Sequence, residues 1–288
     1  MSVLNNKIDF AVVITAKNAN PNGDPLNGNR PRINYDGYGE ISDVCIKRKI
    51  RNRLQDMNQQ IFVQSDDKRT DEFRSLKDRA DGCAELKKLL SQKEKYAAKA
   101  CETWIDVRAF GQVFAFGKTD DENSVSIGIR GPVSIHSAES LSPVEISSMQ
   151  ITKSMNSKTE KDPDKKGPDT MGMKHRVDFG AYVIYGSMNT QLAEKTGFSD
   201  EDAELIRQAL VTLFENDCSS ARPDGSMEVN KLFWWKHNTK IGQYSSAKVH
   251  RSLKIALRDN VKEARSIEDY TITAEPLDGL TLNVYDGI

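Results

Sequence analysis

The chain has 288 residues, 41 basic and 42 acidic side chains, a formal net charge of −1 and a hydrophobic share of 38%. Its length suits two domain units or one elaborated domain. No apolar run exceeds five residues, Phe10–Ile14 among them, whereas a spanning helix takes roughly twenty; the run has no cleavage-like site after it, so a cytoplasmic protein without a membrane partner is expected. Near-neutrality argues against nucleic acid only if the charge is evenly spread, and it is not.

In chain order, Ile8–Ala16 is rich in β-branched and aromatic residues and predicts a buried strand. Residues 17–32 crowd Asn, Gly and Pro and predict a loop. Ser42 is a ready N-cap and Asp43 suits the positive end of a helix dipole, so a helix is expected to about Gln59. Residues 64–100 are charged and weakly periodic, as short inserted helices would be. Asp106–Phe116 and Ser124–Ile135 predict two strands joined by a polar turn at 117–123. Val177–Met188 predicts a strand, Ser199–Asn216 a helix with three acids in its first turn, Glu228–His237 a strand, Ser246–Ala264 a helix, and the C-terminus a strand pair. This order fits an α+β fold, a modified RRM or ferredoxin-like core with insertions.

The usual catalytic signatures are missing. Cys45, Cys83, Cys101 and Cys218 form no C-x-x-C pair, and His136, His175, His237 and His250 no H-x-x-x-H. Free thiols, no metal site and no cofactor are therefore expected. The phosphate-loop, nucleophile-elbow and dinucleotide motifs are absent as well.

Three stretches could carry function. The helix after Ser42 places Ile46, Ile50 and Leu54 on one core-facing stripe. Lys47, Arg48 and Arg51 cluster beside it, and Lys49 and Arg53 occupy a third face. No acid stands between Asp43 and Asp56, so like charges repel along the helix, and a phosphate track would relieve them. Residues 150–176 carry seven basic against four acidic residues and predict a long hairpin arm. On it Met155, Met171 and Met173 could wedge between bases while Lys153, Lys174 and Arg176 hold phosphates. In the Asn/Gly loop, Asn18, Asn20 and Asn22 with Arg30 and Arg32 could bind anions without reading sequence. Two lesser candidates are Arg108–Phe116, a loose likeness to an RNA-binding strand, and Phe233-Trp234-Trp235, a possible stacking platform.

Asn18–Asp24 after the first strand, Ser42–Arg51, Asp106–Gly111, Gly131-Pro132-Val133 and Phe233-Trp234 occur in an order and spacing that resemble one family. It is the crRNA-binding backbone subunit of the type I-C (Dvulg-subtype) CRISPR Cascade, in the RAMP superfamily. The resemblance implies a hand-like fold: palm at 1–59, 106–149 and 177–288, a fingers-like insertion at 60–105 and a thumb hairpin at 150–176. It implies a non-catalytic scaffold that polymerises on the guide crRNA and presents bases to a target DNA strand, beside copies of itself and other Cascade subunits. Ser42, Lys47, Arg48 and Arg51 match the helix that holds the guide backbone, and Met155, Met171 and Met173 are the wedge candidates. Two alternatives remain at this level: an RNA endonuclease using Asp24 or Asp36, as in type III relatives, and a protein-interaction module without nucleic acid.

Overall fold

The computed structural model describes residues 2–116, 125–154 and 171–288. The expected turn at 117–123 and Met155 lie outside these residues. The first strand, β1 (Ile8–Ala19), is buried on both faces through Ala16, as a central strand must be. The loop after it holds two short strands, β2 (Gly23–Asp24) and β3 (Arg30–Pro31), then β4 (Tyr38–Ile41). Helix α1 (Asp43–Asp56) follows, capped by Ser42, whose hydroxyl accepts the Cys45 N–H. Three short helices make the insertion: α2 (Leu76–Gly82), α3 (Ala84–Lys87) and α4 (Lys93–Thr103). Helix α5 (Ile105–Phe110) leads into the hairpin of β5 (Gly111–Phe116) and β6 (Val125–Arg130). Then come β7 (Val133–Ile135), β8 (Ala138–Pro143), β9 (Ile146–Thr152) and the long β10 (Met171–Met188). The last part holds α6 (Thr190–Thr196), α7 (Asp200–Val211), β11 (Met227–Lys236), α8 (Ser246–Ser252), β12 (Leu253–Leu257), β13 (Tyr270–Ala274) and β14 (Thr281–Asp286).

The main sheet is antiparallel, in the order β14-β11-β1-β10-β8-β4, with β7 and β9 also pairing β10. Strand alternation divides its side chains between two layers. Phe10, Val12 and Ile14 of β1 meet Ile46, Ile50 and Leu54 of α1 and Ile206 and Leu210 of α7, so the expected stripe on α1 does face the core. Ala11 and Val13 point the other way and, with Val183, Phe233 and Trp235, pack under Val249 and Leu253. A second core gathers Phe62, Tyr96, Trp104, Val107, Phe114 and Ile127 from the insertion, α5 and the β5–β6 hairpin. Its centre is the Phe62 ring, 4.6 Å from Trp104 and 5.1 Å from Phe114.

Several sequence expectations are corrected. Residues 106–116 are not one strand, because Asp106 to Phe110 lie in α5. The apparent alternation arises because Ile105 and Ala109 face the main core while Val107 faces the second one. Gly111, with φ of 80°, turns the chain out of the helix where its backbone lies hard against Ile129 and Gly131. The helix expected over 246–264 stops at Ser252, and Leu253 and Ile255 continue with strand alternation as β12 against β13. The two C-terminal strands do not pair with each other, since β14 joins β11. Phe233, Trp234 and Trp235 are all buried, Trp234 stacked 5.7 Å from Phe10 on the helix side and the other two rings on the opposite side, so they form no platform. No helix among the described residues is long and apolar enough to cross a membrane.

Two joints hold the layers together, and each can be tested. Gly186 faces Phe10 across the sheet, and a Cβ there would land in the Phe10 ring and against the Ser134 carbonyl. Gly186→Ala is therefore expected to lower stability by about 1–3 kcal/mol, measured by urea denaturation. On the other face, fully buried Asp9 accepts from His237 Nε2 at 2.8 Å and pairs with Lys7 at 3.1 Å. The Gln243 N–H donates to His237 Nδ1, so the proton shared with Asp9 sits on Nε2. Burial pushes the Asp9 carboxyl up, but the hydrogen bonds from His237 and Ser246 and the Lys7 charge outweigh it and leave it below its ordinary 3.8. A depressed carboxyl stabilises the fold above its unfolded value and loses that contribution as pH falls through the folded one. Asp9→Asn should accordingly flatten the fall in denaturation midpoint on acidification below about pH 4, followed by titration of folded wild-type and variant protein.

Candidate nucleic-acid interface

Helix α1 is where the structure departs most from the expectation. Its cations have partners, one on the helix itself and the others in distant parts of the chain. Lys47 pairs with Asp43 at 2.9 Å, Arg48 donates to the Val63 carbonyl at 2.6 Å, and Lys49 is buried against Asp217. Arg51 pairs with fully buried Asp106 at 2.9 Å and lies over the Phe110 ring. Arg53 donates to Thr212 at 2.7 Å. Burial draws Arg48 and Lys49 below their ordinary values, with Arg51 adding to the effect on Arg48 and Asp217 opposing it on Lys49. The unrelieved repulsion inferred from sequence is thus relieved inside the chain. The acidic stretch 199–217 supplies part of the charge: Asp217 holds Lys49 and Arg222, and Asp202 takes both ends of the Arg108 fork at 2.7 and 2.9 Å.

The Asn/Gly loop spends most of its polar groups on itself. The Asn22 side-chain Oδ1 accepts both the N–H and the hydroxyl of Ser42, at 2.9 and 3.0 Å, and ties the loop to the start of α1. Asn20 is buried and donates to the Asn29 carbonyl at 2.7 Å. Asp24 caps the turn by accepting the Leu26 N–H and pairs with Arg32 at 3.3 Å, which makes it a structural carboxylate. Asn18 is exposed in the left-handed region, with φ of 53°. The Asp36 backbone N–H is held by the Asn34 side chain in an exposed turn.

The paired strands β9 and β10 form a ribbon with two unlike faces. The register sets Met171 opposite Thr152, Met173 opposite Gln150 and His175 opposite Ser148, so these six share one face. Met171 is 64% and Met173 56% exposed. Beneath them Arg30 donates to the Ser148 hydroxyl at 2.8 Å, and His175 Nδ1 contacts the same oxygen at 2.8 Å. Two exposed thioethers, Met171 with its sulfur accepting the Gln150 side-chain N–H at 2.7 Å, therefore stand beside a guanidinium and an imidazole. The opposite face carries Ile151, Met149, Lys174 and Arg176, the last 3.7 Å from Asp178. Lys153 lies exposed just past β9. Soft apolar side chains with nearby cations suit a single strand held by its phosphates and parted at its bases. The sequence reading missed His175, Ser148 and Gln150 as members of this face. Counting by twos from Met171 would have found His175; the other two depend on the register.

Residues 6–275 match the family described as CRISPR-associated protein Cas7. The chain belongs to that Cas7 family. It is 26% identical over 294 residues to the CRISPR-associated protein Cas7 of Haloferax volcanii, across 94% of this chain and 82% of that protein. It is also similar to a chain of a solved CRISPR RNA-guided surveillance complex, pre-nicking, with a TM-score of 0.47 and 12% identity over 80% of this chain and 78% of that one. A chain of another CRISPR RNA-guided surveillance complex gives a TM-score of 0.43 and 14% identity over 80% and 68%.

The compensation of α1 has a measurable consequence. Asp106 accepts the Phe62 and Val63 N–H groups as well as Arg51. Asp106→Ala strands a buried guanidinium and two amides and should cost about 3–5 kcal/mol, read as a lower urea midpoint.

Proposed function

We propose that this Cas7-family protein is a non-catalytic backbone subunit of a CRISPR RNA-guided surveillance complex of the type I-C kind, working in the cytoplasm. It grips the sugar-phosphate backbone of the guide crRNA and leaves the bases to pair with target DNA. Membership of the Cas7 family across residues 6–275 carries this reading, and the ribbon of exposed Met171 and Met173 above Arg30 and His175 supports it. In this reading the main sheet with α1 and α7 is the palm. The second core, built from 60–105 and the β5–β6 hairpin, is the fingers, and 150–176 with its paired arms is the thumb. The repeating contact between copies is heterologous, so the assembly follows the guide without closing into a ring.

The residues proposed to meet the guide are Arg30, Lys174 and the ribbon methionines, with Lys47 and Arg176 at its margin. Arg48, Arg51 and Ser42 act by shaping α1 and its approach. A nuclease that uses Asp24 is disfavoured by the commitment of its carboxylate to a cap and an ion pair.

Purification from cells carrying a CRISPR array should recover guide-length RNA; random RNA or none would overturn the proposal. Arg30→Ala combined with Lys174→Ala should weaken binding of every spacer about equally and reduce the salt dependence by about 0.7 per lost contact. A spacer-dependent loss would contradict backbone recognition.

A further inference from the structure

A cleft of about 720 Å³ opens at the root of the ribbon, where β10 passes the end of β1, the 142–145 turn and the 262–265 segment. Its volume falls in the range of sites that bury a small ligand, about 300–1,000 Å³. Phe179 and Lys17 lie directly opposite each other across the β1–β10 pair and share one face. Phe179 is half-buried, so part of its ring lines the open space. Lys262 reaches the cleft from the facing segment. Among the described residues no hydrogen bond or ion pair holds the ammonium of Lys17 or Lys262.

Two of the three acids that line the cleft have a polar or charged partner. Asp178 accepts the Ser147 hydroxyl at 2.8 Å and faces Arg176, and Glu263 stands 3.8 Å from Arg265. Glu145 is left against two unpaired lysines. The far wall is closed by Tyr270, whose hydroxyl donates to Ser142 at 2.9 Å. The ribbon lies farther along the same strand: Met171, Met173 and His175 share the face of β10 that carries Phe179, with fully buried Val177 between His175 and Phe179. An aromatic ring beside two unpaired ammonium groups fits a base and its phosphates better than a peptide.

We infer that this cleft is a nucleotide site for single-stranded nucleic acid, in which Phe179 stacks on one base and Lys17 and Lys262 hold the adjoining phosphates. The inference rests on the proposed function and extends it to residues outside the basic helix and the thumb. Because guide and target strands offer the same chemistry, RNA and DNA probes distinguish the source.

The test titrates fluorescent oligouridylate and oligothymidylate against the full chain over a range of salt. Phe179→Leu should weaken binding about tenfold with an unchanged salt slope. Lys17→Gln with Lys262→Gln should make the slope shallower by about 0.7 per lysine. Photocrosslinking of 4-thiouridine RNA to the unaltered chain should map to the strand around Phe179, a readout independent of any variant's folding. Wild-type affinity and slope in both variants, at unchanged melting temperature, overturn the inference. If Arg30→Ala with Lys174→Ala still weakens binding in that case, the proposed function stands without it. Failure of the wild-type chain to bind either probe overturns both. A change in self-association at unchanged oligonucleotide affinity assigns the cleft to a second copy and also overturns the inference.

Discussion

The fold depends on one buried carboxylate. Asp106 sits where the main core and the second core meet, in the first turn of α5, and accepts from Arg51 of α1 and from the backbone of Phe62 and Val63. An ionised carboxylate in such a place is tolerable only when its lone pairs are filled. Here the three donors come from two separate stretches of chain. The packing of the insertion on α1 is thereby coupled to a single charge pair, and Arg79 of α2 repeats the device nearby with Asp71 and the Phe62 carbonyl.

A consequence is that the most basic segment of the chain is not its most available positive surface. The cations of α1 hold the protein together: Lys49 and Arg53 reach toward the end of α7 and the turns after it, and Arg48 and Arg51 toward the insertion. What remains for a strand of nucleic acid is the ribbon and its root, where cations are few but stand next to exposed thioethers and a phenyl ring. Under the proposed function such a surface holds a chain by phosphate contact and stacking, both indifferent to sequence, as a subunit that accepts any guide requires.

Much of this was legible in the residues. The stripe of Ile46, Ile50 and Leu54, the Ser42 cap, the buried first strand and the antiparallel arm pairing all follow from local periodicity and turn chemistry. The readings at 106–116, at 246–264 and at the aromatic trio went astray for two physical reasons. At 106–116 and at the aromatic trio the segment lies between two packed layers, with both of its sides covered, whereas at 246–264 an amphipathic helix is followed by a half-exposed strand that only its partner β13 defines.

By itself the sequence determined the α+β class, the position of the arm and the residue types on it, because period, caps and charge are local properties. Only the tertiary structure decided which charges are free. Whether a lysine neutralises an aspartate depends on distance in space, and Asp217 lies 168 residues from Lys49. Such internal pairs account for part of the near-zero net charge of the chain, and the proposed nucleic-acid surface is drawn from the cations they leave over.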